Sequence, residues 1–312
     1  MHVRLSARRL PHRLILAVLL FALLSVCAVA QQTAPVSPAL QELRDIATQN
    51  PLRILQMLPD SLTFARIQTR SYDFKETGRP MEYELFVPSR YNSSRPTPLI
   101  VALHCLSAVA HDVIRYEHLT ELAEERGYIV VAPMGYNNHG WYGSRGPGRL
   151  ALVGRGGRGG GASNDDPENL GELSELDVMN VLDLVRKEFN VDPNRTYLMG
   201  HSMGGAGSIY LGVKYASIWA AIGAEAPATA PAGMTPDTFS LEPAKNVPMM
   251  IVQGDMDTLV PVAGARLWIE KMKELKITHQ YVEVAGGDHG SVLTTGAPDI
   301  FGFFAKHTKA AR

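Results

Sequence analysis

The sequence predicts an α/β fold in which a mostly parallel central sheet is covered by helices on both faces. Short runs of strand length alternate with segments of helical periodicity, and most of these runs are apolar at consecutive positions, as in strands buried on both faces. The predicted strands are Met81–Val87, Pro98–Leu103, Tyr128–Ala132, Thr196–Met199, Ala220–Ala224, Met249–Val252 and Gln280–Val284. The predicted helices are His111–Arg126, Leu170–Phe189, Met203–Tyr215, Ala263–Leu275 and a last one near Ile300–Lys306.

The first strand differs from the others because its apolar residues alternate with polar ones. This pattern is typical of an antiparallel strand, so residues 71 to 88 are expected to form one edge of the sheet. In a sheet of this class, ligands bind beyond the carboxyl ends of the parallel strands. The residues that follow each apolar run are therefore the first candidates for a functional site.

The composition is that of an ordinary globular protein, with 46% hydrophobic and 20% charged residues among 312. These proportions argue against wholesale disorder and against a membrane protein with many spans. We expect a single domain over residues 71–312, because open α/β sheets often exceed 250 residues as one unit. Residues 31–70 include Pro35, Pro38 and Pro51 and are predicted to form an N-terminal linker with a peripheral helix.

The first thirty residues have the layout of a secretory signal peptide. Four arginines precede the apolar run Leu14–Val26, and the small residues Ala28, Val29 and Ala30 follow it. We expect cleavage after Ala30, a secreted or periplasmic location, and no membrane association of the mature chain. The alternative is an uncleaved anchor helix, since the apolar run approaches the lower length limit for spanning a bilayer.

Charge and cysteine content limit the partners and the covalent structure. Loss of four arginines and no acid changes the formal charge from -1 to -5, which gives no electrostatic reason to expect nucleic-acid binding. Of the two cysteines, only Cys105 lies beyond the predicted signal peptide. An intramolecular disulfide is therefore impossible in the mature chain.

The segment Gly143–Ser163 is rich in glycine and arginine. It is predicted to be a surface loop near the mouth of the site, because so many glycines do not sustain regular structure. A phosphate-binding loop would end in Lys-Ser or Lys-Thr and directly follow a strand, and both features are missing from this segment.

The candidate nucleophile is Ser202, in the sequence Gly200-His201-Ser202-Met203-Gly204. The motif follows a predicted strand and precedes a predicted helix, which is the context of the nucleophile elbow of α/β-hydrolases. Side chains at 200 and 204 would collide with the neighbouring strand and helix. The backbone N–H of Met203 is a predicted oxyanion donor, because it lies at a helix N-terminus where negative charge is stabilised.

The remaining members of a catalytic triad are expected later in the chain, first an acid and then a histidine. Asp255 and Asp257 both follow a predicted strand, and we favour Asp257 because it lies closer to the tip of the turn. His289 is the predicted base, since glycines on both sides let its loop approach the serine. His279 and His307 are the rival bases, but their positions are more typical of surface residues.

The second oxyanion donor is expected in the turn after the strand Pro98–Leu103, where Leu106 is the candidate. Cys105 in the same turn is either a reactive thiol or a buried free cysteine. The second interpretation is favoured because Cys105 ends a core strand and free cysteine is among the most often buried residues.

Trp141 and Tyr142 follow the strand Tyr128–Ala132 and are therefore expected near the rim of the site. Two interpretations stay open for this pair. The aromatic rings bind substrate by stacking on a sugar or an aromatic acyl group, or they cover the core.

With these residues placed, the chain resembles carbohydrate esterase family one, the group that includes feruloyl and acetylxylan esterases and polyhydroxybutyrate depolymerases. The resemblance runs from about Met81 to Phe304. It is most specific at Pro98–His104, Gly127–Pro133, Arg195–Gly205, Gly254–Pro261 and Gly286–Gly290.

The resemblance implies a serine esterase that forms an acyl-enzyme through Ser202, Asp257 and His289. It also implies no cofactor, no metal, and a small-molecule, polysaccharide or polyester substrate that carries an ester. One position departs from the family pattern, because relatives usually have glycine where this chain has Cys105. Two alternatives remain: a peptidase or acyltransferase with the same triad, or an inactivated hydrolase that acts as a binding protein.

Overall fold

The computed structural model describes residues 61–149, 163–229 and 234–309. The predicted signal peptide, residues 31–60 of the predicted linker, and most of the glycine-rich loop lie outside these ranges. The described residues from Leu62 onward form one compact unit. Within the described ranges, no helix combines the length and the apolar character needed to cross a bilayer.

Eight strands form a single sheet in the order β1-β2-β4-β3-β5-β6-β7-β8. The strands are β1 Gln68–Phe74, β2 Arg79–Phe86, β3 Thr97–Leu103, β4 Ile129–Pro133, β5 Val191–His201, β6 Ala221–Glu225, β7 Met249–Gly254 and β8 His279–Val284. β1 pairs antiparallel with β2, and β2 pairs antiparallel with β4, while all other neighbours are parallel. The predicted mostly parallel sheet with an antiparallel edge is thus confirmed.

Helices lie on both faces of this sheet. In chain order they are α1 Ser61–Phe64, α2 Ala110–Val113, α3 Leu119–Arg126, α4 Leu170–Glu188, α5 Met203–Lys214, α6 Val262–Glu274 and α7 Val292–Phe304. Side chains from α4, α5 and α6 contribute to one apolar cluster, and side chains from α2, α3 and α7 contribute to the other. The two clusters are separated by the sheet, which gives the three-layer architecture of an α/β fold.

The alternation of side chains along each strand explains why the buried runs are continuously apolar. In β3, Leu99, Val101 and Leu103 belong to the first cluster, while Ile100 and Ala102 belong to the second. Each strand position must therefore be apolar, whichever face it points to.

The predicted helix His111–Arg126 is wrong in its extent, because the structure has two helices separated by a turn. His118 lies in the turn with a left-handed backbone, at φ 67°. Ile114 and Leu119 are both fully buried in the same cluster. In one continuous helix their side chains would point about 140° apart, so a single helix could not bury both on one side.

The last helix also differs from its prediction, since α7 begins at Val292 rather than near Ile300. Gly296 and Pro298 lie inside it and favour turns in a sequence analysis, which hides the helical pattern. The sequence also does not predict β1 as a separate strand, because it is an edge strand with mostly polar residues.

Candidate active site

Ser202 lies in the sharp turn between β5 and α5, with φ 57° and ψ -113°. A side chain in this backbone region is strained, and the surrounding contacts hold it there. The Ser202 N–H donates to the Glu225 carbonyl oxygen at 2.9 Å, and the Ser202 carbonyl oxygen accepts from the N–H of Ala206 and of Ala228. The turn is therefore fixed to strand β6 as well as to its own helix.

The two glycines of the motif are required by close backbone contacts. A Cβ at Gly204 would lie 2.1 Å from the carbonyl oxygen of Leu103, and a Cβ at Gly200 would lie 2.5 Å from the carbonyl oxygen of Gly204. Carbonyl oxygens of this kind belong to the sheet and the helix and do not move aside. The collisions expected from the sequence are present in the structure.

Asp257 and His289 come together at the carboxyl edge of the sheet. The Nδ1–H of His289 donates to Oδ2 of Asp257 at 2.7 Å. The Asp257 side chain is fully buried, whereas the His289 ring is 17% exposed. Oδ1 of Asp257 accepts from the backbone N–H groups of Leu259 and Val260, so the carboxylate is held in one orientation.

Because Nδ1 of His289 is bonded to Asp257, Nε2 is the ring nitrogen that does not contact the carboxylate. A histidine with a carboxylate on one nitrogen presents the other as a proton acceptor. His289 is also close to the turn that carries Ser202, because its ring centroid lies 4.6 Å from that of His201, the residue before Ser202.

The other acid and histidine candidates lie apart from this pair. Asp255 is exposed, and its Oδ1 accepts from the N–H of Gly286, which braces the loop that carries His289. His279 begins β8, and His307 follows α7, with its carbonyl oxygen bonded to the Tyr197 hydroxyl. Both histidines therefore lie toward the amino-terminal ends of the parallel strands, away from the carboxyl ends where Asp257 and His289 meet.

The turn after β3 carries Leu106, which the sequence predicts as an oxyanion donor, and Cys105. The fully buried His104 anchors this turn, because its ring nitrogens lie 2.9 Å from the carbonyl oxygen of Cys105 and 2.7 Å from that of Met134. The backbone N–H of Leu106 makes no hydrogen bond with any described residue. Met203 begins α5, so its N–H is among those that a helix leaves without an internal partner.

Cys105 is half-buried rather than fully buried at the end of the strand. The hydroxyl of Tyr116 donates to its Sγ at 3.3 Å. The thiol is therefore directed toward α2 and the residues that follow it.

The structure places Tyr142 in the core. Its side chain is completely buried against Gly135 and Gly207, and its hydroxyl donates to the His104 carbonyl oxygen at 3.1 Å. Trp141 is also buried, with the Arg145 guanidinium 3.2 Å from its ring centre. Both side chains are thus part of the core, as in the second interpretation of this aromatic pair, and the Tyr142 hydroxyl supports the turn after β3.

Two buried residues that the sequence analysis missed contact the site. The side-chain amide of Gln253 donates to Asp257 Oδ2 at 3.0 Å and to the Val260 carbonyl oxygen at 2.9 Å. Glu225 ends β6, and its backbone holds Ser202. The available signal is the same for both: a polar residue at the last positions of an otherwise apolar strand. Among the described residues, no group of three or more histidine, cysteine, aspartate or glutamate side chains is arranged to hold a metal ion.

The model of the Esterase family matches residues 75–292, which is more than half of the chain. Two curated relatives are a rat (Rattus norvegicus) S-formylglutathione hydrolase, 26% identical over 47% of this chain, and a Ralstonia pickettii poly(3-hydroxybutyrate) depolymerase, 28% identical over 51% of it. The aligned parts span 51% and 32% of those proteins, so the chain covers half of the first and a third of the second.

Solved structures share the fold. An S-formylglutathione hydrolase from Agrobacterium tumefaciens has a TM-score of 0.60 at 18% identity, covering 78% of this chain and 95% of that one. A CE1 ferulic acid esterase from Anaeromyces mucronatus has a TM-score of 0.58 at 19% identity, covering 75% and 89%. These likenesses confirm the α/β-hydrolase fold, and the match across residues 75–292 places the chain in the Esterase family.

Proposed function

We propose that this protein is a serine esterase that hydrolyses carboxylic esters through Ser202, His289 and Asp257. The hydrogen bond between His289 and the buried carboxylate of Asp257, next to the strained turn of Ser202, is the observation that carries the proposal. Membership of the Esterase family supports the same reaction class.

In the proposed reaction, Nε2 of His289 takes the hydroxyl proton of Ser202 as Oγ attacks the ester carbonyl. Asp257 holds the ring by the hydrogen bond from Nδ1 and stabilises the imidazolium that forms. His289 then gives the proton to the leaving alcohol, which leaves an acyl group on Ser202. Water activated by the same histidine hydrolyses this acyl-enzyme and restores the serine.

The N–H groups of Leu106 and Met203 are proposed to donate to the oxyanion of each tetrahedral intermediate. The Leu106 N–H makes no hydrogen bond with a described residue, and the Met203 N–H is at the first position of α5. Both lie in turns at the carboxyl edge of the sheet. Donors of this kind act where negative charge develops, and loss of one typically raises the barrier by about 3 kcal/mol.

The test compares hydrolysis of nitrophenyl acetate and butyrate by the wild-type protein and by Ser202→Ala. We expect the substitution to lower kcat by at least about 1,000-fold, because the residual rate of such variants comes from binding and the oxyanion site alone. Ser217→Ala is the matched control, since Ser217 is an exposed serine after α5. Full turnover by the Ser202 variant would refute the proposal.

A fluorophosphonate probe followed by peptide mass spectrometry identifies the reacting residue directly. Labelling of Ser202 supports the esterase, whereas a folded wild-type protein that is not labelled favours an inactivated hydrolase. Acetylated, feruloylated and hydroxyalkanoate esters, together with a peptide panel, then separate the substrate classes. Hydrolysis of peptides but not esters would favour the peptidase alternative.

We also propose that the protein is exported and processed after Ala30. The support is the order of arginines, apolar run and small residues in the first thirty positions. Mass spectrometry of the protein from a native host tests this proposal, with a mature chain that begins at Gln31 expected. An intact N-terminus in a membrane fraction would contradict cleavage and favour the anchor.

A further inference from the structure

A small internal cavity lies beside the nucleophile turn, on the face of the sheet that α7 covers. Its volume of about 10 Å³ has room for about one water molecule. His201, Glu225 and Tyr116 are its polar lining, and the remaining walls include Leu293 and Ala297 of α7. The last residues of β5 and β6 are thus polar where the rest of this face is apolar.

His201 connects this cavity to the proposed base. Its Nε2 lies 2.8 Å from the backbone carbonyl oxygen of His289. A carbonyl oxygen only accepts, so the proton of this hydrogen bond must be on Nε2 of His201. The two rings also contact each other, with their centroids 4.6 Å apart. His201 therefore holds the backbone of the residue whose ring must face Ser202.

The other nitrogen of His201 has no partner among the described residues. Nδ1 is buried without a hydrogen bond, and so is Oε1 of Glu225. Both residues line the same cavity. Two buried polar atoms without partners are costly, and a water molecule in the cavity that both residues line would satisfy both.

The protonation states of the two residues are complementary. Burial raises the pKa of Glu225 to about 8, so its carboxyl is protonated at neutral pH and donates a hydrogen bond. Burial and the proximity of His289 lower the pKa of His201 to about 4, so its ring is neutral and Nδ1 is an acceptor. A continuous chain of donors then runs from Glu225 through water to His201, and from His201 to His289.

We propose that His201 is a positioning residue for His289. We further propose that Glu225, through one water molecule in the cavity, donates to Nδ1 of His201 and so favours the ring proton on Nε2. This inference rests on the proposed function, because the positioned group is the proposed catalytic base. His201 contacts neither substrate nor the reacting atoms in this role. It acts by fixing where the His289 ring lies relative to Ser202.

Two substitutions separate hydrogen bonding from packing. His201→Phe keeps an aromatic ring against His289 and Tyr116 but removes the donor, whereas His201→Gln keeps an N–H near Nε2 and loses the ring. If the hydrogen bond positions His289, we expect kcat to fall by about 10-fold or more for His201→Phe and by less than about 3-fold for His201→Gln, because small displacements of a catalytic group are costly. KM is expected to change little in either variant.

The control is His279→Phe, since His279 also bonds a backbone carbonyl oxygen, that of Ile277, but lies at the opposite edge of the sheet. Its kcat is expected to match the wild type. If His201→Phe performs as well as His201→Gln, or if both lose activity equally, the inference is overturned in favour of packing. An inactive wild-type protein would instead overturn the proposed function.

A measurement that needs no activity tests the second half of the inference. ¹⁵N NMR of labelled histidine distinguishes the Nε2–H from the Nδ1–H tautomer of His201. We expect the Nε2–H form in the wild type at neutral pH, because the His289 carbonyl oxygen accepts from Nε2. In Glu225→Met, which removes the polar partner of the cavity, the tautomer is kept and the Nδ1 resonance is expected to move downfield, because this nitrogen loses its hydrogen-bond donor. An Nδ1–H or charged ring in the wild type would overturn the inference, as would an unchanged Nδ1 resonance in the methionine variant.

Discussion

The free energy of unfolding of Glu225→Gln, relative to that of the wild type, should increase as the pH rises. The pKa of Glu225 is raised from 4.5 to about 8 by burial, with no side-chain hydrogen bond in the described structure to offset it. Between these two pH values the unfolded chain releases the carboxyl proton while the folded protein retains it. The free energy of unfolding of the wild type therefore falls with rising pH through this window.

The magnitude follows from the size of the shift. Each pH unit within the window costs the wild type about 1.4 kcal/mol, which amounts to about 3 kcal/mol at pH 7 relative to pH 4.5. Glutamine has a similar shape and does not titrate, so the variant avoids this cost. The difference in the free energy of unfolding between Glu225→Gln and wild type should grow by about 4 kcal/mol from about pH 5 to 8.

The assay is guanidinium chloride unfolding of both proteins at several pH values, analysed as a difference at each pH. Asp177 is also buried with a raised pKa, of about 6, but it titrates in both proteins and cancels from the difference. Glu270→Gln is the matched control because Glu270 is exposed on α6. A difference that stays constant across the window would refute the reasoning, since Glu225 would then titrate alike in the folded and unfolded chains.

Three further predictions concern the turns around the site. Asp257→Asn should lower kcat by roughly 1,000- to 10,000-fold in an ester hydrolysis assay, because asparagine no longer stabilises the imidazolium. Asp255→Asn is the control and should change kcat less than about 3-fold. Equal losses in the two variants would contradict the choice of Asp257 as the acid of the triad. In thermal unfolding, Gly204→Ala should lower the free energy of unfolding by about 3 kcal/mol or more, or prevent folding. Gly264→Ala, where a Cβ meets no atom within 4 Å, should raise it by up to about 1 kcal/mol, and the opposite order would contradict the contacts. Gln253→Met should lower kcat about 10-fold with little change in KM, because Asp257 loses a buried hydrogen-bond donor. An unaltered kcat would show that the N–H groups of Leu259 and Val260 suffice to hold the Asp257 carboxylate.

The sheet could be predicted from sequence because its strands obey a strong local rule. The parallel strands β3, β4, β6 and β7 are buried at every position, so their residues are nearly all apolar and their limits are visible as changes in composition. The glycines around Ser202 are similarly visible, because close backbone contacts exclude any other residue there. These features depend on a few neighbouring positions.

The elements that escaped prediction depend on distant partners. The turn that separates α2 from α3 exists because Ile114 and Leu119 must reach the same cluster, which no local pattern reveals. The beginning of α7 is concealed by residues that usually end helices but are accommodated here, and Gly296 in particular makes room for the carboxyl of Glu225.

The candidate site shows the same division. The order of Ser202, Asp257 and His289 along the chain could be predicted from the fold, and the structure brings the last two into a hydrogen bond. Gln253 and Glu225 stand out in the sequence as single polar residues near the ends of apolar strands, but their roles could not be predicted from that signal. Their importance depends on which buried group faces them across the sheet.

The strained backbone of Ser202 has a consequence for how this family can diverge. At φ 57° the position is unfavourable for serine and easier for glycine, whereas positions 200 and 204 admit glycine alone. Under the proposed role of Ser202, a descendant released from selection for activity would gain stability by replacing this serine with glycine and would lose stability by replacing either flanking glycine. The flanking glycines therefore indicate only that the fold is kept, whereas serine at position 202 is the feature that the proposed activity explains.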